Sequence, residues 1–455
     1  MAGTPPRAKR LFGTNGVRGE VGKDMHPDLV LRIGMALGSL RGGSILVGRD
    51  TRTSGPALSS ALQAGLMATG CRVADAGVVP TPALQYAVAK VYDAGAMVTA
   101  SHNPPEYNGV KIIDTDGTEM GDDEIILLED RILADRIPTV PWNRVGTISP
   151  APHIPEEYVQ GVCSHFPGGE GEGMTVVVDP GSGAGCATTP AIMTGLGCRV
   201  HTLNARMDGT FPGRDPEPTA ETLAPLAEMV KATGAAFGAA HDGDADRTVF
   251  VDGKGRYLEE NREFALIARH LLRNRRGTIV MPVSTSRLVE QVARASGCRV
   301  DYTPVGSIYV ARRMRELLAA GTPVVMGGEG NGGLIFPDHQ FCRDGGMTAA
   351  MMVSLLSSTG QSLSALADEL PAMILIKEKI RSPRARDAVA ALEKAFSGED
   401  LDRTDGIRLN RDDAWALVRP SGTEPLLRIL VEAEDRGRAE ALHREIRNHL
   451  RDAGI

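Results

Sequence analysis

The densest group of chemically active residues is the run HDGDADR at positions 241–247. Its three aspartates are spaced two residues apart, so their carboxylates lie on one side of an extended chain or converge if the chain loops. Three anions held together require a cation, and carboxylate oxygens favour a divalent ion. An EF-hand loop is excluded because its sixth and twelfth positions would hold Arg247 and Gly253. We therefore expect Mg²⁺ that shares a phosphate oxygen, with a solvated acidic turn as the alternative.

A second candidate is the segment TASHNPPEYNGVK at positions 99–111. It follows an apolar run and is rich in turn-forming residues, which predicts that Ser101 lies on an exposed loop. Side chains of the neighbours Ser101 and His102 would diverge on an extended chain, unlike a hydrolase dyad, whose base comes from elsewhere in the fold. A Gly-x-Ser-x-Gly elbow is also missing from this segment. Taken alone, the segment is better explained as an ordinary polar turn.

The segment RPSGTEP at 419–425 has the composition of an anion-binding loop. Its arginine, two hydroxyls and glycine can surround an anion with side-chain and backbone donors. It lacks the lysine and the spacing of a P-loop NTPase. The alternative is a Pro/Gly-rich connection between strands.

The segment GGEGNGG at 327–333 is rich enough in glycine for its backbone to approach a ligand closely. Glu329 and Asn331 offer acceptors that suit sugar hydroxyls. The pattern is not a GxGxxG that opens a helix, so a dinucleotide site is disfavoured. The alternative is a flexible hairpin loop.

Three copies of the tetrapeptide Gly-Cys-Arg-Val, containing Cys71, Cys198 and Cys298, mark a repeated unit. Each copy is preceded by a short β-branched run, a turn and a helical segment. The β-branched run suits a strand buried on both faces, and the glycine stands where a helix needs a left-handed C-terminal residue. A helix that returns the chain to a second parallel strand forms a right-handed βαβ crossover. The sequence therefore predicts three similar α/β layers, with chance recurrence as the alternative.

Changes in composition divide the chain into four segments. A Pro-rich passage at 137–155 follows the first repeated unit, and the acidic segment that ends at Asp252 and Gly253 closes the second. Pro371 begins a part without the tetrapeptide, which combines the strand-like MILIKEKI with a helical tail from Arg436 and is typical of a smaller α+β module. We expect domains at 1–150, 151–253, 254–370 and 371–455.

Composition excludes several classes of function. The 455 residues are too many for one compact core. The 57 acidic and 50 basic residues give a net charge of −7, which opposes a broad polyanion-binding surface, and an aromatic content of 4% disfavours base stacking. We find neither a stretch typical of a secretory signal nor a run of about 20 apolar residues. We expect a cytoplasmic protein with reduced cysteines and no nucleic-acid or membrane partner.

Together these motifs resemble the α-D-phosphohexomutase superfamily. The four segments described above are joined by FGTNGVRG at 12–19, and all five occur in the order of that family over nearly the whole chain. The combination is far more specific than any single motif. The resemblance implies an α/β protein of three similar domains with mixed sheets and a smaller α+β C-terminal domain, arranged around a central cleft.

The resemblance also implies a reaction centre. Ser101 would carry the phosphoryl group, and an oxygen of phosphorylated Ser101 would complete a Mg²⁺ site with Asp242, Asp244 and Asp246. Four further residues would serve this centre: Lys111 as an acid/base group, His102 as a support of the serine loop, Arg247 as a cation that stabilises charge on the transferring group, and Arg18 as added positive charge.

Substrate-binding residues follow from the resemblance in the same way. Glu329 and Asn331 would contact the sugar hydroxyls. The phosphate that does not react would be bound by four residues of the last motif: Arg419, Ser421, Gly422 and Thr423.

The activity that the resemblance implies is transfer of a phosphoryl group between O6 and O1 of a hexose phosphate. Phosphorylated Ser101 would give its phosphoryl group to the sugar, the bound bisphosphate would turn over, and Ser101 would take the group from the other end. This reaction needs one Mg²⁺ and a hexose bisphosphate as activator. The partner is a small hexose phosphate, and the expected assembly is a monomer or a homodimer.

Two departures from the family pattern concern the substrate. The sugar loop often reads Glu-x-Ser-Gly/Ala-His, whereas Asn331 replaces the serine and Gly333 the histidine, a form that resembles archaeal members. The segment PVGS at 304–307 lacks the His or Asp that often follows its glycine. The FGTNGVRG segment is similar to that of phosphoglucosamine mutases. Glucosamine phosphate is therefore the first choice, and a phosphomannomutase/phosphoglucomutase is the alternative.

Two functions of other classes are alternatives to the mutase. In a phosphatase, water would attack phosphorylated Ser101, but a simple hydrolase has no need of a second phosphate loop. A non-catalytic sensor of sugar phosphates would not need Ser101, Lys111 and all three aspartates. Both alternatives are therefore less favoured than the mutase.

Overall fold

The computed structural model describes residues 9–134, 136–421 and 426–455, with only the backbone at Arg386. The chain divides into two compact units, Met1–Glu263 with Asn331–Ala365 and Phe264–Gly330 with Leu366–Ile455. Every helix in the described ranges is too short or too polar to span a lipid bilayer.

The first sheet and its helices come from the start of the first unit. Its elements are β1 (Val17–Glu20), α1 (Pro27–Arg41), β2 (Ser44–Arg49), α2 (Gly55–Ala68), β3 (Arg72–Val78), α3 (Thr81–Val91), β4 (Ala94–Val98), β5 (Tyr107–Ile113), α4 (Asp122–Ile132) and β6 (Ile148–Pro150). The strand order is β1-β5-β4-β2-β3-β6. The sheet is mixed, because β5 runs antiparallel to β1 and β4 while the pairs β2–β3, β2–β4 and β3–β6 are parallel.

Strand β6 lies within the Pro-rich passage at 137–155, which looked like a plain connection in the sequence. Ile148 is paired with Val73 of β3, so this passage adds an edge strand to the first sheet. The strand was missed because it has only three residues, ends in a proline and shows no alternating pattern.

The second sheet also belongs to the first unit. Its elements are α5 (Ile154–Cys163), β7 (Thr175–Asp179), α6 (Thr189–Gly195), β8 (Arg199–Thr202), α7 (Ala224–Thr233), β9 (Phe237–His241), β10 (Thr248–Asp252) and β11 (Tyr257–Leu258). The strand order is β11-β10-β9-β7-β8. Strand β7 is parallel to β8 and β9, and strand β10 is antiparallel to β9 and β11.

The second unit contains another parallel layer. Helix α8 (Glu260–Leu271) leads into it, and its own elements are β12 (Thr278–Pro282), α9 (Arg287–Ala295), β13 (Arg299–Thr303), α10 (Ser307–Ala319) and β14 (Val324–Glu329). Strand β12 is parallel to both β13 and β14. The chain continues through β15 (Gly333–Ile335), α11 (Gly345–Thr359) and α12 (Leu363–Asp368).

The C-terminal part of the second unit is an antiparallel α+β module. It consists of β16 (Ile374–Arg381), α13 (Ala385–Ala395), β17 (Asp400–Asp402), β18 (Ile407–Asn410), β19 (Ala414–Pro420), β20 (Leu426–Ala433) and α14 (Arg436–Asp452). The strand order is β16-β20-β19-β18-β17, and every pairing is antiparallel. Apolar side chains of α13 and α14 share one buried core with these strands.

The predicted repeat is confirmed. Each of β2–α2–β3, β7–α6–β8 and β12–α9–β13 joins two parallel, adjacent strands through one helix. Gly70, Gly197 and Gly297 all have positive φ, so each glycine ends its helix in a conformation that other residues rarely adopt. The fold is therefore three similar α/β layers and a smaller α+β module.

Candidate active site

Ser101 lies in the loop between β4 and β5. The sequence predicted an exposed serine, but its side chain is fully buried. Its backbone has φ +53°, a left-handed conformation that is uncommon for residues other than glycine. Its hydroxyl donates a hydrogen bond of 2.7 Å to Oδ2 of Asp242. The strained, buried backbone thus directs the serine oxygen to the acidic loop.

His102 does not diverge from Ser101 as an extended chain would require. Its Nδ1 lies 3.4 Å from Oγ of Ser101, because the left-handed turn brings the two side chains to the same side. Burial, reinforced by the positive charges of Arg247 and Arg18, lowers the pKa of His102 to about 2. The ring is therefore neutral at physiological pH.

The buried guanidinium of Arg52 fixes the backbone of the serine loop. Its two terminal nitrogens donate to four loop carbonyls, those of Ser101 (2.8 Å), Asn103 (2.6 Å), Pro104 (2.5 Å) and Tyr107 (2.9 Å). Its Nε donates to Oδ2 of Asp50 at 3.0 Å. Sequence reasoning missed this residue, since a lone arginine after a strand carries no motif.

Asp50 continues the support of Ser101 through a threonine. Thr99 donates its hydroxyl to Oδ2 of Asp50 at 2.6 Å, and the same hydroxyl oxygen accepts the backbone N–H of Ser101 at 2.8 Å. All three side chains are buried. The backbone N–H and C=O of Ser101 are therefore both fixed by the ion pair of Asp50 and Arg52 and by Thr99.

The acidic run follows β9 and turns back into β10. Asp242, Asp244 and Asp246 are all buried, and one carboxylate oxygen from each lies within 4.8 Å of the others. Ala245 has φ +55°, which makes the run a tight loop instead of an extended segment. A solvated acidic turn is thereby excluded.

The two oxygens of Asp244 and of Asp246 have different surroundings. Oδ2 of Asp244 accepts from Thr81 (2.5 Å) and Lys111 (2.7 Å), and Oδ2 of Asp246 accepts from Lys111 at 2.9 Å. Both Oδ1 atoms are buried and have no hydrogen-bond partner among the described residues. Buried carboxylate oxygens without donors are costly unless a cation takes them. These residues therefore fit a divalent metal with oxygen ligands.

The carboxyl groups of the loop titrate differently from one another. Burial and the charges of Asp246 and Asp244 raise the pKa of Asp242 to about 7. Burial opposes ionisation of Asp246 as well, but Arg343, Lys111 and Arg247 hold its pKa below the ordinary value. For Lys111, the attraction of Asp244 and Asp246 outweighs burial and raises the pKa. Lys111 is consequently an ammonium in this site.

Arg18 and Arg247 both lie close enough to the acidic loop to interact with its aspartates. Nη1 of Arg18 donates to the side chain of Asn103 at 3.0 Å, while its Nη2 is buried without a hydrogen-bond partner among the described residues. Nε of Arg247 lies 3.9 Å from Oδ1 of Asp246. Burial lowers the pKa of Arg18, although the nearby Asp244 and Asp246 oppose this shift.

Two charged residues near the acidic loop were missed from the sequence. Arg343 donates from Nη2 to Oδ2 of Asp246 at 2.6 Å with its side chain only 2% exposed. Glu119 faces Lys111 and Arg343, and burial raises its pKa. Neither residue belongs to a motif, and both reach the loop only through the tertiary fold.

The remaining predicted residues are divided between the two units. Asn331 lies in the first unit, where its Oδ1 accepts the N–H of Gly333 at 3.2 Å. Glu329 is the last residue of β14 in the second unit. Arg419 lies in β19 of the same unit, and Ser421 follows that strand. Gly422 and Thr423 lie outside the described residues.

Arg419 is the penultimate residue of β19, where it contacts one acidic side chain and lies opposite a second arginine. Its Nε lies 3.0 Å from Asp405, which also accepts the N–H of Val305 at 3.0 Å. Across the sheet its register partner is Arg428, a residue that sequence reasoning missed. Two arginines directly opposite each other repel, so this pair is suited to an anion.

Four family models of the phosphoglucomutase/phosphomannomutase type match the chain in order. The α/β/α domains I, II and III match residues 9–136, 156–255 and 259–374, and the C-terminal domain matches residues 375–449.

Individual relatives cover nearly the whole chain. A phosphoglucomutase/phosphomannomutase of Thermococcus kodakarensis is 42% identical over 446 residues, which is 94% of this chain and 96% of the relative. A probable phosphoglucosamine mutase of Methanopyrus kandleri is 42% identical over 445 residues and 96% of each chain. A phosphoglucomutase/phosphomannomutase family protein of Burkholderia thailandensis has a TM-score of 0.86 at 29% identity and 98% coverage of both chains. The chain thus belongs to the phosphoglucomutase/phosphomannomutase family, whose members are phosphomutases of the isomerase class.

Proposed function

We propose that this chain moves a phosphoryl group between O6 and O1 of a hexose phosphate, with Ser101 as the carrier. The observation that carries the proposal is the 2.7 Å hydrogen bond between Oγ of Ser101 and Asp242 inside a buried acidic loop. A serine buried beside three carboxylates and several cations has the surroundings of a phosphoryl carrier rather than of a structural hydroxyl.

Asp242, Asp244 and Asp246 would hold one Mg²⁺ together with an oxygen of phosphorylated Ser101. The bound ion would offset negative charge on the phosphoryl group during transfer. The unpartnered Oδ1 atoms of Asp244 and Asp246 support this role. Within the protein, Lys111 keeps these carboxylates oriented by donating to the opposite oxygens.

The transfer breaks the bond between phosphorus and Oγ of Ser101 and forms a bond between phosphorus and a sugar oxygen. Lys111 is an ammonium beside this centre and would act as the acid for the leaving serine oxygen, and as base in the reverse direction. Neutral His102 would support the loop, and Arg18 and Arg247 would stabilise charge on the transferring group. Burial of the centre limits the access of water, which opposes hydrolysis.

Glu329 and Asn331 would contact sugar hydroxyls. Arg419, Ser421, Gly422 and Thr423 would bind the phosphate that does not react. The Arg419–Arg428 pair supports an anion at this module. A hexose bisphosphate would serve as activator by phosphorylating Ser101.

Glucosamine 6-phosphate, converted to glucosamine 1-phosphate, is our first choice of substrate. It is supported by the FGTNGVRG segment and by the similarity to a probable phosphoglucosamine mutase. A phosphomannomutase/phosphoglucomutase is the alternative, because a relative of that name is equally similar.

Phosphorus NMR tests both proposals when glucosamine 6-phosphate, mannose 1-phosphate and glucose 1-phosphate are each supplied with Mg²⁺ and a trace of hexose 1,6-bisphosphate. Rapid conversion of the amino sugar alone supports the first choice. Comparable or faster conversion of the other two sugars supports the broad hexose mutase. Release of inorganic phosphate at the rate of turnover would indicate a phosphatase, and tight binding without turnover would indicate a sensor.

A further inference from the structure

Arg343 reaches the acidic loop through a gap that exists because position 333 is glycine. A Cβ at that position would overlap Cδ of Arg343 and lie 3.0 Å from its Cγ. The backbone around the gap is fixed, since Ile335 is bridged to Arg343, and Gly332 accepts the N–H of Thr248 at 2.9 Å. Any larger residue at position 333 would therefore displace the arginine side chain instead of the backbone.

Beyond the gap, Arg343 shares one oxygen with Lys111. Its Nη2 lies 2.6 Å from Oδ2 of Asp246, and Nζ of Lys111 lies 2.9 Å from the same atom. Lys111 also binds Asp244, so these two cations face two aspartates. Whether the centre needs the charge of Arg343 therefore depends on what the metal and the phosphoryl group add.

The net charge of the centre decides whether it attracts or repels a phosphoryl group. Its cationic side chains are Lys111, Arg343, Arg247 and Arg18, and its acidic ones are Glu119 and the three aspartates. A divalent metal and a phosphoryl group of about two negative charges leave this set balanced. Without Arg343 the loaded centre would be anionic and would repel the group that it must transfer.

We propose that Arg343 is a further cationic side chain of the reaction centre, admitted by Gly333, whose charge balances the phosphoryl group. This inference rests on the proposed function. It differs from a role in holding the metal, because a cation 2.6 Å from Asp246 repels a divalent ion. Arg343 therefore weakens metal binding and favours the phosphoryl group.

Arg343→Ala separates the two roles. In the unphosphorylated protein we expect Mg²⁺, measured by titration calorimetry, to bind about 10-fold more tightly. Phosphorylation of Ser101 by hexose 1,6-bisphosphate should become about 100-fold slower. Weaker Mg²⁺ binding, with the full phosphorylation rate restored by high Mg²⁺, would overturn the proposal and make Arg343 a support of the metal ligand.

Gly333→Ala tests the gap without touching the arginine. It should tighten Mg²⁺ binding and slow the phosphorylation of Ser101, as Arg343→Ala does. The double variant should differ little from either single variant in these two measurements. Additive effects, or a Gly333→Ala protein that behaves as the unchanged chain, would overturn the argument. Arg343→Lys keeps the charge and should retain a phosphorylation rate within about 10-fold of the original.

Arg256→Ala is the matched control, because Arg256 pairs with Asp252 and lies outside the centre. It should alter neither the Mg²⁺ affinity nor the rate of Ser101 phosphorylation, and melting curves show whether each variant is folded. If hexose 1,6-bisphosphate does not phosphorylate Ser101 in the unchanged protein, the proposed function itself is refuted. An equal rate of Ser101 phosphorylation in the unchanged protein and in Arg343→Ala would refute only this inference.

Discussion

Oγ of Ser101 lies 2.7 Å from Oδ2 of Asp242, although 141 residues separate them in the chain. The contact joins the loop after β4 of the first sheet to the loop after β9 of the second. Both loops follow the carboxyl ends of strands, the edge of an α/β sheet at which ligands bind. Ser101 and the acidic loop therefore lie together within the first unit.

Arg52→Ala should destabilise the protein by about 3–5 kcal/mol. It would leave Asp50 as a buried charge without its partner and four loop carbonyls without their donor. Urea denaturation measures the loss, and Arg52→Lys should lose less because it keeps the charge. Arg49→Ala, three residues earlier at the partly exposed end of β2, should change stability by less than about 0.5 kcal/mol. Equal stability of the Arg52→Ala and Arg49→Ala proteins would contradict the scaffold.

Mg²⁺ should raise the melting temperature of the unphosphorylated protein. A ligand at 100 times its dissociation constant stabilises the folded state by about 2.7 kcal/mol, and a chelator should reverse the effect. Asp244→Asn should remove most of the shift, because it weakens a carboxylate of the buried triad. Asp252→Asn alters a buried carboxylate outside the triad, so Mg²⁺ should still raise the melting temperature of this variant. A shift that survives Asp244→Asn would place the metal elsewhere.

Stability should fall as the pH drops below about 6.5, in part through His339. Burial, together with His165 and Lys90, lowers the pKa of this ring, while Asp344 opposes the shift. Below pH 6.5 the unfolded state binds a proton at His339, whereas the ring stays neutral in the folded state. The contribution of His339 to the free energy of unfolding is therefore present above pH 6.5 and is lost as the pH falls below it. In urea denaturation between pH 7 and pH 5, His339→Gln should reduce the pH slope by up to about 1.4 kcal/mol per unit. Identical slopes for the two proteins would contradict this assignment.

Arg419→Ala should raise the KM for the hexose monophosphate by roughly 10- to 100-fold, because a hydrogen bond to a charged group contributes about 1.5–3 kcal/mol. Ser101 should still accept a phosphoryl group at saturating bisphosphate. Arg438→Ala removes one charge from the same module, where it pairs with Asp413, and should leave the KM unchanged. Loss of Mg²⁺ binding in Arg419→Ala would show that the loop has been placed in the wrong role.

The repeated architecture was within reach of sequence reasoning. The three βαβ units follow from β-branched runs, helical segments and glycines with positive φ, all of which are local features. The acidic loop could also be identified, since three carboxylates within five residues must meet a cation or solvent.

Long-range contacts set the limit of that reasoning. Ser101 looked exposed because turn-forming residues surround it, whereas Arg52, 49 residues earlier, buries the loop by binding its carbonyls. Arg343 is 97 residues from Asp246, and nothing in its local sequence indicates the contact. Such positions depend on which loops the sheets bring together, which a single sequence does not encode locally.

The most direct test of the account is transfer of phosphorus-32 from labelled hexose 1,6-bisphosphate to the protein and then to unlabelled hexose monophosphate. We expect the label on Ser101, identified by peptide mapping, and its rapid chase into the sugar. Ser101→Gly, which suits the positive φ at this position, should fold as well as the original and take no label. Label on a different residue, or turnover that survives Ser101→Gly, would contradict Ser101 as the phosphoryl carrier.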